Sequence, residues 1–230
     1  MSKQEYEFEK KYACTDPDGL TIELLIMGFQ KVSIGEETDT YFSDLAGNFI
    51  RKNICLRLRK KADGAARLDF KGASDDPTAQ FIAKLEHNAS LEAGSVDQLV
   101  RIIELLGFVK HIEVRKFRRA YAGQFLGQNV NIYLDRLNEG IEYCEVEITA
   151  KDGASKKEMA TVLERLSECL SAFLGSIETE PYREIVCAFQ LRKLLSEDLE
   201  FVVKGKNAQR IFLLMLSAEK YHSSRSFDAA

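Results

Sequence analysis

Apolar and polar positions alternate along much of the first two thirds of the chain, and that period of two predicts strands. In EYEFEKKY, residues 5–12, alternation puts Glu5, Glu7, Glu9 and Lys11 on one face and Tyr6, Phe8, Lys10 and Tyr12 on the other. TYFSD, ICLRLRKK, ARLDFKG and AQFIAKLEH read as further strands, with a helix near residues 20–28 in LTIELLIMG. Ser95, with Gln98 three residues on, forms a capping-box pattern ahead of LVRIIELL, and Gly107 stops that helix. HIEVRKFRRAY, NVNIYLDRL and IEYCEVEIT continue the strand series. A second capping box, Ser155 with Glu158, opens a helix whose Met159, Val162, Leu163, Leu166, Leu170 and Phe173 share one stripe, and Gly175 is read as its end. From about residue 190 the pattern becomes a helical extension with a polar tail. Many antiparallel-type strands and few helices predict an α+β fold with a sheet large enough to curl, organised as one domain over residues 1–189 with an appendage over 190–230.

Composition narrows the function classes. The 230 residues are 45% hydrophobic, enough for a substantial core, and the net charge of −4 argues against general nucleic-acid binding. Five scattered cysteines without a CxxC pair suit a reduced, cytoplasmic chain. The charged start, MSKQEYEFEKKY, is not a signal peptide, and the apolar run Ile211–Leu216 is far too short to span a bilayer, so no membrane role is expected. His87, His111 and His222 share no metal-ligand spacing, GxSxG and Walker patterns are missing, and Cys144 faces the core by parity.

The charged faces carry the chemistry. Arg57 and Arg59 lie opposite Ile54, Leu56 and Leu58; Lys71 closes ARLDFK; Asp135 lies opposite Val130, Ile132 and Leu134; Tyr143, Glu145 and Glu147 lie opposite Cys144, Val146 and Ile148. In HIEVRKFRRAY both faces are cationic, Lys116 with Arg118 and Arg115 with Arg119, so alternation cannot choose between them. Acidic strands thus bracket basic ones. Were these faces turned inward, neither the carboxylates nor the cations would tolerate burial without a counter-ion. A divalent metal with hard oxygen ligands, Mg²⁺ or Mn²⁺, answers the first, and a polyphosphate answers the second.

With those residues in hand, the chain resembles the CYTH superfamily, the triphosphate tunnel metalloenzymes. Glu7, Glu9 and Lys11 match its ExExK signature. TDTYFSD (Tyr41, Asp44), LRLRK (Arg57, Arg59), LDFKG (Lys71), KFR (Lys116, Arg118) before Tyr121, IYLDRL (Asp135), CEVEI (Glu145, Glu147) and EPYREIV (Tyr182) follow in order. Two segments depart from the pattern: Lys84-Leu85-Glu86, followed by Asn88, replaces RxE, and Glu139-Gly140-Ile141 replaces GLG. The resemblance implies a closed eight-stranded antiparallel barrel forming a tunnel, with helices outside. It further implies a metal-dependent triphosphatase. Glu7, Glu9, Glu145 and Glu147 would hold Mg²⁺ or Mn²⁺, and Arg57, Arg59, Lys71, Lys84, Lys116 and Arg118 would bind the substrate. Lys11 would position water or phosphate. The expected partner is a triphosphate-containing small molecule, with a homodimer a possible assembly. A class IV adenylyl cyclase and a non-catalytic polyphosphate-binding module are the alternative readings.

Overall fold

In the computed structural model, which describes residues 5–73, 86–151, 155–196 and 208–225, the alternating stretches become nine strands and the striped stretches six helices. The order is β1 (Glu5–Cys14), α1 (Pro17–Ile26), β2 (Gln30–Asp44), α2 (Asn48–Arg51), β3 (Cys55–Lys61), β4 (Ala66–Lys71), β5 (Glu86–Leu91), α3 (Val96–Leu105), β6 (Phe108–Phe125), β7 (Gln128–Leu137), β8 (Glu142–Lys151), α4 (Lys156–Cys169), β9 (Leu174–Ile177), α5 (Tyr182–Ser196) and α6 (Ala208–Arg225). The strands hydrogen-bond in the order β5-β4-β3-β2-β6-β7-β8-β1-β9. This corrects the strand count of the expected eight-stranded barrel: among the described residues the sheet has nine strands. Alternation fixes which face a side chain occupies, whereas closure depends on strand number, tilt and register, which alternation does not report.

The chain divides into two compact units. The first comprises Met1–Glu37, Ala73–Glu86 and Arg115–Thr179. Its core gathers Phe8 of β1, Leu20 and Leu24 of α1, Val130, Ile132 and Leu134 of β7, Cys144, Val146 and Ile148 of β8, and the α4 stripe from Met159 to Leu170. Each strand contributes the parity set opposite its charged face. Asp16 caps α1 by accepting from the Gly19 amide at 2.9 Å, and Ser155 accepts from the Glu158 amide at 3.3 Å as the capping box requires. Gly175 does not end α4, which stops at Cys169; it lies in β9, where a Cβ would stand 3.3 Å from that of Ala13, so glycine there permits close strand approach.

The second unit comprises Thr38–Gly72, His87–Val114 and Glu180–Ala230. Phe42, Leu58, Ala66, Val96 and Ile103 form one of its core clusters. The box read at Ser95 is not made. A 3₁₀ turn over Ala93–Ser95 leads into α3, leaving Ser95 in helical conformation, and its hydroxyl donates back to the Glu92 carbonyl at 2.8 Å. Leu213 and Leu214 of α6 are fully buried, and a Cβ on Gly47 would collide with the Leu216 side chain at 2.5 Å, so the apolar run is a packing face in this unit. Helix α5 runs through residue 190 without a break. Most of AQFIAKLEH lies outside the described residues, and β5 begins at Glu86. No helix among the described residues is long and apolar enough to cross a membrane.

Candidate active site

In the first unit, strand register assembles the charged face. Antiparallel pairing of β1 with β8 sets Glu9 opposite Glu147, Lys11 opposite Glu145 and Glu7 opposite Thr149. Pairing of β8 with β7 sets Glu145 opposite Tyr133 and Tyr143 opposite Asp135, and pairing of β7 with β6 sets Asp135 opposite Arg118. One face therefore runs from the ExExK strand to the KFR strand. Directly opposed carboxylates repel unless a cation lies between them, and Glu9 facing Glu147 is such a pair.

The structure resolves the ambiguity of β6. Lys116 and Arg118 are buried at 2% and 8% exposure, whereas Arg115 is exposed and Arg119 pairs with Asp18 on α1 at 2.9 Å. Asp135, itself 1% exposed, accepts from Arg118 Nε at 2.6 Å and from Lys116 Nζ at 3.2 Å. Arg118 Nη2 also donates to Glu145 at 2.6 Å, Glu37 lies within 3.9 Å of its Nε, and its guanidinium stands 4.1 Å from the Tyr133 ring centre. Burial disfavours the Arg118 cation, but Asp135, Glu145 and Glu37 outweigh it and hold its pKa well above the ordinary arginine value. The Lys11 amine lies 5.7 Å from the Tyr143 ring centre, and Lys11 is buried although its strand neighbour Glu9 is exposed.

In the second unit a different group forms around two buried aspartates. Asp39 accepts from Arg59 through both Nε and Nη2 at 2.7 Å, a two-pronged fork. Asp69 accepts from Arg57 Nε at 2.9 Å and Nη2 at 2.6 Å, while Arg57 Nη1 reaches Asp39 only at 3.4 Å. Arg67 also contacts Asp69, through its Nη2 at 3.3 Å. The β3–β4 register explains the gathering, with Arg57 opposite Asp69 and Arg59 opposite Arg67. Burial again disfavours the Arg57 cation, and Asp39, followed by Tyr41, Cys55 and Asp69, raises its pKa well above normal. Lys71 sits half-buried at the end of β4, opposite Cys55.

Of the residues expected from the sequence, Lys11, Glu9, Glu145, Glu147, Lys116 and Arg118 share one face of the first unit, and Arg57 and Arg59 group in the second. Lys84 and the side chain of Glu7 lie outside the described residues. Sequence reading missed Glu37 and Asp39. The signal was available: in EETDTYF, Glu37, Asp39 and Tyr41 keep one parity, and all three are buried. Among the described residues no group of three His, Cys, Asp or Glu side chains stands ready as a metal cluster; the β1–β8 register sets Glu9 opposite Glu147.

A nine-stranded antiparallel sheet carrying cross-strand carboxylates and arginine–aspartate forks belongs to a recognisable class. The CYTH domain profile matches residues 5–178, and the chain belongs to the CYTH family. Among curated proteins no relative matches. Solved structures share the fold. PH1819 of Pyrococcus horikoshii OT3 is 23% identical with a TM-score of 0.63, over 79% of this chain and 98% of its own. A candidate adenylate cyclase of Vibrio parahaemolyticus is 20% identical with a TM-score of 0.63, over 80% and 99%. The candidate adenylyl cyclase HpAC1 of Hippeastrum, described as having a dominant triphosphatase activity, is 15% identical with a TM-score of 0.53, over 70% and 86%.

Proposed function

We propose that the protein is a metal-dependent triphosphatase acting on inorganic triphosphate or an organic triphosphate. The observation carrying this reading is the β1–β8 register, which sets Glu9 against Glu147 and Lys11 against Glu145. Carboxylate oxygens in that arrangement suit Mg²⁺ or Mn²⁺, with Glu7, Glu9, Glu145 and Glu147 as the ligands. When bound, the metal supplies charge neutralisation for phosphate oxygens and acidifies water.

The chain's own groups do the rest. Lys116 and Arg118 present cations whose carboxylate partners hold them in place, and Arg57, Arg59, Lys71 and Lys84 bind phosphate oxygens, the arginines through planar forks. As water oxygen bonds to the terminal phosphorus and the bond from that phosphorus to its bridging oxygen breaks, charge grows on the departing diphosphate, pyrophosphate itself or its organic ester, and fixed guanidinium groups stabilise it without reorganising. Lys11 orients the attacking water or the terminal phosphate; an ammonium has no lone pair with which to act as base.

Kinship in fold with candidate adenylate cyclases favours a second reading at the same residues, in which the ribose 3′ hydroxyl of ATP attacks the α-phosphate and pyrophosphate leaves. One assay separates the readings. The purified chain with Mg²⁺ or Mn²⁺ is offered inorganic triphosphate, ATP and thiamine triphosphate, and phosphate, pyrophosphate and cyclic AMP are measured. Phosphate release supports the triphosphatase. Cyclic AMP with pyrophosphate from ATP replaces it with the cyclase, and binding without any product leaves a polyphosphate-binding module.

A further inference from the structure

Arg183 is a buried cation that the family match, ending at residue 178, does not include. It stands second in α5, and its guanidinium pairs with Glu184 and binds the residues that lead into β3. Nη1 donates to the Ile54 carbonyl at 3.0 Å, Nε and Nη2 donate to Glu184 at 3.0 and 2.5 Å, and Nη2 also reaches Asn53 Oδ1 at 3.5 Å. Asn53 and Ile54 immediately precede β3, and Asn53 holds a positive φ of 54°, a left-handed turn conformation that asparagine adopts readily. Three residues beyond Ile54 comes Arg57. The Tyr41 ring links the two cations directly: the Arg57 guanidinium lies 6.0 Å from its centre and that of Arg183 lies 5.9 Å from it.

We propose that Arg183 is a positioning residue for Arg57, acting through Tyr41 and through the start of β3, so that α5 completes the phosphate-binding group from beyond the family's matched span. Nη1 of Arg57 is its most loosely held nitrogen, with Asp39 at 3.4 Å, and its aim depends on the backbone and ring that Arg183 fixes. The inference rests on the reading that Arg57 binds phosphate, and it is independent of whether hydrolysis follows.

The test is a double-mutant cycle on inorganic triphosphate binding, measured by calorimetry with Arg183→Lys, Arg57→Ala and the double variant. Arg183→Lys keeps the charge but loses the planar contacts. It should weaken binding about tenfold, and it should add almost nothing once Arg57 is already alanine, because its effect passes through that side chain. Effects that multiply independently would show that Arg183 is only a structural tie and overturn the proposal. Should Arg183→Lys not yield folded protein, Tyr41→Leu takes its place in the cycle with the same two outcomes. A parent protein that binds triphosphate without turning it over defeats the triphosphatase alone, and one that binds none defeats both.

Discussion

The two units solve the burial of charge differently. In the first, two cations, Lys116 and Arg118, meet three carboxylates, Asp135, Glu145 and Glu37, and the facing pair Glu9 and Glu147 lies along the same face. In the second, three guanidinium groups, Arg57, Arg59 and Arg67, share two aspartates, Asp39 and Asp69. The acidic surplus sits where a metal is proposed, and the basic surplus sits where phosphate is. One aspartate per unit would have looked equivalent in the sequence, yet their partners differ: Asp135 holds both β6 cations more closely than Glu37 does, whereas Asp69 serves Arg57 and the partly exposed Arg67.

That contrast is open to experiment, from the largest expected effect downward. Asp135→Asn removes the fully buried carboxylate nearest both β6 cations, leaving Lys116 only Glu37 at 3.8 Å, and should cost on the order of 4 kcal/mol in unfolding free energy. Asp69→Asn should cost clearly less, as Arg57 keeps Asp39 and the Arg67 side chain is 40% exposed to water; equal losses in chemical denaturation would erase the distinction between the units.

Acid should strike the second unit. His111, 1% exposed, hydrogen-bonds Ser217 Oγ of α6 at 3.2 Å and lies 3.5 Å from Cys187 Sγ of α5, with burial first and Arg183 second lowering its pKa to about 4. Its folded pKa is below the ordinary 6.5, so the unfolded chain binds the proton more readily between those values. Stability from this group is complete above pH 6.5 and falls as pH drops through 6.5 towards 4, by on the order of 3 kcal/mol. Melting curves of the parent and His111→Gln across that window check it. The variant should lose this part of the acid sensitivity.

Glu147→Gln keeps size and removes charge, and should lower metal-dependent turnover roughly 100-fold, equivalent to about 2.7 kcal/mol, with the melting temperature little changed. At the small end, Arg115→Ala removes an exposed cation from the other face of β6 and should leave both turnover and stability close to those of the parent.

Much of this was legible in alternation. Phe8 and Leu58 are buried opposite their charged neighbours, and Cys144, Val146 and Ile148 fill the core as parity required, because a half-buried strand must segregate its faces. The choice between Lys116 with Arg118 and Arg115 with Arg119 was not legible, as both sets have the same chemistry and only Asp135, across the β6–β7 pair, decides it. Glycine misled at 175 because close strand packing and helix termination call for the same residue. The Ser95 cap failed because capping needs an extended backbone, which the preceding 3₁₀ turn denies it. Family resemblance led to the CYTH family and miscounted the strands, nine among the described residues where eight were expected.

The central claim is that carboxylates facing each other across β1 and β8 hold the metal. Titration of Mn²⁺ into the purified protein, followed by electron paramagnetic resonance of the free ion, tests it without requiring a substrate. The account expects saturable binding by the parent that weakens at least about tenfold in Glu9→Gln and in Glu147→Gln, while Arg115→Ala binds like the parent. Binding of equal strength in the parent and both glutamine variants, or no saturable binding at all, would contradict it.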